Sequence, residues 1–167
     1  MRKLISGAQT GVDRAALDVA LSLGIRCGGW VPCGRLAEDG VIPEKYPGLR
    51  ECDSRDYAVR TRLNVIDADA TLVLSRGALS GGTALTVELA QSLGKPFLHL
   101  DLDTMAFPEA RDRLREWLSV NAPSVLNVAG PRASEDPSIH SASEAVLVAV
   151  LSGHCGPVST GDQSPAG

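Results

Sequence analysis

Hydrophobic positions along the chain switch repeatedly between short continuous runs and helical spacing, and most switches fall at glycine or proline. Lys3 to Ser6 is an apolar run that breaks at Gly7, after which Ala15, Ala16, Val19, Ala20 and Leu23 form a helical stripe ending at Gly24. Ile25 to Val31 reads as a second strand. Pro32 to Arg55 is dense in Gly, Pro and charge, shows no convincing period, and reads as a long loop and candidate lid. A helix returns over Asp56 to Asp67, with Val59, Leu63 and Ile66 on one face and the polar set Tyr57, Arg60, Thr61 and Asn64 on a neighbouring one. That second face is either solvated or turned toward a pocket. Ala70 to Leu74 is a short run of the kind buried on both sides. A helix leading to Gly94, a strand over Pro96 to Leu102, an amphipathic helix over Pro108 to Val120 and a fifth strand over Ser124 to Val128 come next. The last helix runs from Pro137 to about Leu151, with Asp136 placed to cap it. From Ser152 onward apolar periodicity ends, so residues 152–167 are expected to be a disordered tail and residues 1–151 a single domain.

Three of the strands give way to glycine-rich loops that open helices. The first, Ser6-Gly7-Ala8-Gln9-Thr10-Gly11, has two readings: an anion site at the helix amides, or a well-capped helix in which Thr10 and Asp13 form a capping box. The second, Ser75-Arg76-Gly77 through Ser80-Gly81-Gly82-Thr83, repeats the design with flanking hydroxyls and a nearby arginine. The third is Gly130-Pro131-Arg132. Strands alternating with helices predict a parallel sheet covered on both faces, in which ligands bind beyond the strand carboxyl ends, where all three loops lie. Arg14, Arg76 and Arg132 then supply the charge for one oxyanion or phosphorylated ligand, provided that their strands are neighbours.

Composition narrows the partner. A chain of 167 residues with 44% hydrophobic residues can bury one real core. A formal charge of −4 argues against a general nucleic-acid grip, and 4% aromatic residues leave few platforms for stacking bases. No apolar run approaches the roughly 20 residues of a membrane span, and no secretory segment opens the chain, so a cytoplasmic protein is expected. Cys27, Cys33, Cys52 and Cys155 read as free thiols, and with His99, His140 and His154 they match no zinc or haem spacing.

Taken in order, Leu4–Ala16, Gly34-Arg35 through Ala37-Glu38-Asp39-Gly40 and Ile42-Pro43, Arg60-Thr61 with Asn64-Val65, Ser75-Arg76 with Gly81-Gly82-Thr83, and Asn127 through Arg132 resemble the molybdenum carrier, or molybdenum cofactor carrier protein, family over roughly residues 3 to 150. That family is similar to a circular permutation of YpsA-like proteins, within the Rossmann-like group that includes the cytokinin-activating phosphoribohydrolases. The resemblance implies an α/β three-layer sandwich whose five-stranded parallel sheet has the order 2-1-5-3-4. It also implies binding and carriage of molybdenum cofactor, a pterin bearing a phosphate and a molybdenum–oxo group, or of molybdate or a nucleotide-like anion. A homo-oligomer of two or four copies and molybdoenzyme partners belong to the same expectation. Residues and resemblance together nominate Gly7, Gln9, Thr10, Gly11, Arg14, Arg35, Arg60, Asn64, Ser75, Arg76, Gly81, Gly82, Thr83, Gly130 and Arg132 as ligand-binding.

The alternative is a nucleoside-monophosphate phosphoribohydrolase or nucleotide sensor. The phosphoribohydrolases carry a P-G-G-x-G-T-x-x-E loop, but here Thr86 stands three after Thr83 and Glu88 lies two further on, turned about 200° around the helix. Asp13, Glu38, Asp39 and Glu88 are the remaining carboxylates that could serve a hydrolase. No histidine is expected near any of the three loops. The long loop is expected to close over the ligand, with Arg35, Glu38 and Asp39 meeting Arg60, Thr61 and Asn64.

Overall fold

The computed structural model describes residues 1–154. Its main sheet is built from β1 (Lys3–Ile5), β2 (Arg26–Val31), β5 (Leu49–Glu51), β6 (Ala70–Ser75), β7 (Phe97–Asp101) and β8 (Val125–Ala129). All pair in parallel in the order β5-β2-β1-β8-β6-β7. The five expected strands keep the order 2-1-5-3-4, and β5 adds a sixth at the edge. The permutation's signature is the last strand lying between the first and the third: Leu4 pairs with Leu126, and Leu126 with Ala70. β6 is buried at every position, as a strand covered on both faces must be.

Helices α1 (Val12–Ser22), α4 (Phe107–Asn121) and α5 (Ile139–Leu151) pack together over one face. On the other, α2 (Tyr57–Asp67) lies against α3 (Gly81–Ser92). Leu4, Leu17, Leu72, Leu114, Leu126 and Leu147 are among the fully buried side chains that join these layers. A single 3-10 turn over Ser152–His154 follows α5; the rest of the expected disordered tail lies outside the described residues.

Three local expectations change. The 32–55 stretch is not featureless: besides β5 it forms a small antiparallel hairpin, β3 (Leu36–Ala37) with β4 (Gly40–Val41). β5 can approach β2 because Gly28 and Gly48 leave room between backbones; a Cβ at Gly28 would sit 2.4 Å from the Gly48 carbonyl oxygen. Second, Thr10 and Asp13 form no capping box, since α1 has Gly11 as its N-cap and no side-chain cap hydrogen bond. Third, α5 begins at Ile139 rather than Pro137, because the Asp136 carboxylate accepts from the Ser138 amide (2.9 Å) and hydroxyl (2.7 Å) one turn earlier. No helix of the described residues is long and apolar enough to cross a membrane.

Candidate functional site

The order β1-β8-β6 places all three glycine loops side by side, and between them opens a cavity of about 250 Å³. Its walls come from four places. The loop after β1 and the first turn of α1 contribute Gln9 and Asp13, and α2 contributes Tyr57, Arg60 and Thr61. The start of α3 adds Gly81, Gly82, Thr83 and Thr86, and the end of β8 with its loop adds Ala129, Gly130, Arg132 and Glu135.

The two helix starts behave differently. At α1 the amides already have protein acceptors: Val12 N–H donates to the Pro131 carbonyl (3.2 Å), and just upstream the Gln9 amide donates to the Asp13 carboxylate (3.3 Å). Gly11 is required there, because its φ is +76° and a Cβ would lie 2.3 Å from the Pro131 oxygen. The first loop is thus a tight junction between the β1 and β8 loops, and its anion reading passes to α3. At α3 the N-cap Ser80 makes no side-chain cap hydrogen bond, and while the Thr83 amide donates to the Ser80 carbonyl (3.1 Å), the amides of Gly81 and Gly82 before it are those that a helix start leaves without intrahelical partners. Nothing lies within 4 Å of a Cβ placed on Gly81 or Gly82. Crowding by other protein atoms therefore does not account for glycine at 82; its bare backbone leaves the approach to the helix dipole open.

Charge in the cavity is dominated by buried groups. Arg60 Nη1 lies 3.5 Å from Asp13 Oδ2, with side chains 11% and 4% exposed. Burial pushes the Asp13 carboxyl above its ordinary range despite the Arg60 guanidinium and the Gln9 amide beside it. Arginine's intrinsic pKa is so high that Arg60 stays cationic although burial pulls it down. Arg132 sits with its guanidinium 4.5 Å from the Tyr57 ring centre, within cation–π range. Two buried atoms in this wall have no partner: Arg60 Nε and Gln9 Oε1. The orientation of the Gln9 amide is set, because its nitrogen donates to the carbonyls of Gly7 (3.4 Å) and Leu36 (3.1 Å). Its oxygen must then face away from them.

The donors of this lining are guanidinium, hydroxyl and amide groups. Cysteine and histidine do not line it, and among the described residues no group of three or more His, Cys, Asp or Glu could hold a metal ion.

Comparison with known proteins agrees with this architecture. The model of the circularly permutated YpsA SLOG family matches residues 4–151. The chain belongs to this family. A similar solved structure is the crystal structure of the Putative molybdenum carrier protein from Syntrophus aciditrophicus SB, which is 48% identical, covers 90% of this chain and 95% of its own, and superposes with a TM-score of 0.88. No curated protein matches the chain.

Of the residues nominated from sequence, Gln9, Arg60, Gly81, Gly82, Thr83, Gly130 and Arg132 line the cavity. Gly7 stands directly behind it, since a Cβ there would collide with the Arg60 guanidinium at 1.7 Å. The others have different duties. Arg14 donates to Asp39 (2.8 Å) and to the Ala8 carbonyl (3.2 Å). Arg35 donates to the Ile42 and Pro43 carbonyls of its own loop. Asn64 braces β2, accepting from the Trp30 amide (2.8 Å) and donating to its carbonyl (2.9 Å). Ser75 is buried against His99, whose Nε2 lies 2.7 Å from its hydroxyl, so a histidine does adjoin the second loop. Arg76 turns away to Asp103 (3.8 Å), Asp136 (3.6 Å) and the Ser138 hydroxyl. Thr10 and Gly11 belong to the junction of the first and third loops, where Thr10 receives the Ala133 amide (3.0 Å).

The lid contacts also differ from expectation. Glu38 meets Thr10 and Ser134, and Asp39 meets Arg14, rather than Arg60, Thr61 and Asn64. Tyr57 and Thr61 decide the open question about the polar α2 face: with Arg60 they turn toward the cavity. Thr86, Ala129 and Glu135 are lining residues that the sequence did not single out for binding, and Asp13, expected as a helix cap or hydrolase acid, lines the cavity as well. Thr86 follows Thr83 by three residues and shares its face, while Glu88 is exposed and outside the wall.

Proposed function

We propose that the protein binds and carries a small anionic ligand in this cavity: molybdenum cofactor held through its oxyanion groups, with molybdate as the simpler cargo. The observation that carries this reading is the pair of unpartnered buried atoms, Arg60 Nε and Gln9 Oε1, in one wall with Arg132 and the uncapped start of α3. Buried polar groups normally have partners, and a bound ligand supplies those missing here. The name of the Syntrophus relative points the same way.

The donor set fits the cofactor's phosphate better than its metal. Arg60, Arg132, Thr83 and the α3 amides would hold an oxyanion, and a thiolate or imidazole for the molybdenum is not among the lining residues. Gln9 Oε1 asks for a donor. A bare tetraoxoanion has none, whereas a pterin has ring N–H groups, which favours the organic cofactor over molybdate. At about 250 Å³ the cavity is just under the roughly 300 Å³ at which pockets for drug-sized ligands begin, so it suits an anionic head group with the remainder emerging from the mouth. In this reading a cytoplasmic homo-oligomer passes the ligand to molybdoenzymes, which sedimentation and transfer to an apo-molybdoenzyme would check.

Titration calorimetry with molybdenum cofactor, molybdate, phosphate and AMP tests the reading. Binding of at least one molybdenum-bearing ligand, with the cofactor tighter than molybdate, is expected. Heats indistinguishable from dilution for both would overturn it.

A second reading, nucleoside-monophosphate phosphoribohydrolase, is favoured by one observation: Asp13 is a buried carboxyl with a raised pKa in the cavity wall. Against it, the place of the hydrolase glutamate is taken by Thr86, and Asp39 is bound to Arg14 outside the cavity. Release of free base from AMP above the uncatalysed rate, abolished by Asp13→Asn, would decide for the hydrolase.

A further inference from the structure

Beside the cavity is a second cradle of donors, and a carboxylate of the protein itself occupies it. Glu38 accepts hydrogen bonds from the Thr10 hydroxyl, from the Ser134 hydroxyl and from the Ser134 amide (3.2 Å). Thr10 is in turn held by the Ala133 amide at 3.0 Å. These donors adjoin the cavity wall in the chain: Thr10 follows Gln9, and Ala133 and Ser134 lie between Arg132 and Glu135. Hydroxyls and a turn amide converging on one carboxylate are the groups that also bind phosphate and other oxyanions. Those hydrogen bonds, from Ser134 first and then Thr10, hold the Glu38 carboxyl below its ordinary range, so it is charged at neutral pH.

The carrier of that carboxylate is built to move. Glu38 and Asp39 are the two turn residues of the β3–β4 hairpin, whose ladder has only the pairs Leu36 with Val41 and Ala37 with Gly40. Just beyond the hairpin Ile42 and Tyr46 are buried and anchor the stem, whereas Glu38, Asp39, Gly40 and Val41 at the tip are exposed. The side-chain contacts that hold the tip are polar: Glu38 to the cradle and Asp39 to Arg14. Lifting it exposes little apolar surface and exchanges hydrogen bonds for water.

We propose that the Thr10–Ser134 cradle is a second oxyanion subsite, occupied in the free protein by Glu38, and that it takes the second anionic group of a ligand whose first anionic group lies in the cavity. The ligand class is therefore one with two linked oxyanions, and its binding expels the hairpin tip. A ligand with a single oxyanion fills the cavity and leaves Glu38 in place. This inference rests on the cavity being an oxyanion site.

The test compares inorganic phosphate with diphosphate and triphosphate by calorimetry, on the wild-type chain and on Glu38→Gln, which keeps the side chain's size and removes its charge. The variant should bind at least one of the two longer anions about tenfold more tightly than wild type, with phosphate affinity unchanged. Ser134→Ala in the Glu38→Gln background should reverse the gain. Hydrogen exchange on the wild-type chain gives an independent readout: the Ile42 amide, bonded to the Arg35 carbonyl at 2.8 Å, should exchange faster with the longer anion and not with phosphate. If phosphate binds and Glu38→Gln changes neither longer anion, the subsite is refuted and Glu38 is a fixed tie. If phosphate itself does not bind, the oxyanion reading of the cavity fails first.

Discussion

Asp13→Asn probes the cavity's electrostatics most directly. The wild-type carboxylate lies 3.5 Å from the Arg60 guanidinium, so without ligand it offsets much of the cation that an incoming oxyanion would use. A dianion such as sulfate bound about 6 Å from that carboxylate, at an effective dielectric of about 40 for a part-open cavity, is repelled by about 2.8 kcal/mol, or about a hundredfold in affinity. Asparagine keeps the shape and an acceptor for the Gln9 amide while removing the charge. Calorimetry with sulfate, whose charge is constant across the range, should give a dissociation constant about a hundredfold lower for the variant at pH values above the Asp13 pKa. The sign with pH is defined by the raised Asp13 pKa. Wild-type affinity should rise as pH falls through that pKa, and the advantage of the variant should vanish there. Stability without ligand has the same sign, since a raised folded pKa gives a contribution complete below the unfolded value and lost as pH rises through the folded one. Equal sulfate affinities across the whole pH range, or an advantage undiminished at low pH, would refute the assignment of Asp13 as a competing anion.

Arg132→Ala should weaken sulfate binding by about 1.5–3 kcal/mol, the range for a hydrogen bond to a charged group, whereas Arg76→Ala, already paired with Asp103 and Asp136, should leave it unchanged in the same titration. Gly82→Ala should fold with an unaltered melting temperature, because no protein atom lies within 4 Å of the new Cβ, yet bind sulfate more weakly. Gly130→Ala should lose about 1–3 kcal/mol in denaturant unfolding, because its Cβ would sit 2.3 Å from the Leu74 carbonyl and 2.4 Å from Val12 Cγ2.

Five strands and five helices were legible because each is an apolar run or stripe, bounded at one end or both by glycine or proline in every case but α2, which Asp56 and Asp69 flank. β5 and the β3–β4 hairpin were not, since elements of two or three residues carry no period, and β5 depends on backbone contact between Gly28 and Gly48. The site divides in the same way. Gly81, Gly82, Thr83, Gly130 and Arg132 are carried to the cavity by their strands, and Arg60 by the polar face of α2. One turn beyond Arg60, the same face has passed the cavity and Asn64 reaches β2 instead. The loop arginines were misleading for a different reason. Arg14 and Arg76 are drawn aside by Asp39 and Asp136, partners 25 and 60 residues away that no local pattern reveals. His99 reaches Ser75 only through the register of β7 on β6.

The two carboxylates that sequence reasoning treated as a cap and a lid residue matter most for how such a site would work. Asp13 faces Arg60 inside the cavity, and Glu38 fills the donors at its rim. Each holds a place that a bound anion would claim, so each lowers affinity by competing with it. Cations and amides without such competitors would bind an oxyanion tightly and release it slowly, because affinity within one site varies mainly through the off-rate. A carrier must release its cargo to the next protein. An internal anion that returns to the vacated donors stabilises the emptied state and shifts the balance toward transfer, by the same differential free energy that opposes binding. Hence Glu38→Gln should slow the release of a two-oxyanion ligand in stopped-flow displacement, and a variant that binds more tightly at equilibrium with an unchanged off-rate would break this link between internal competition and release.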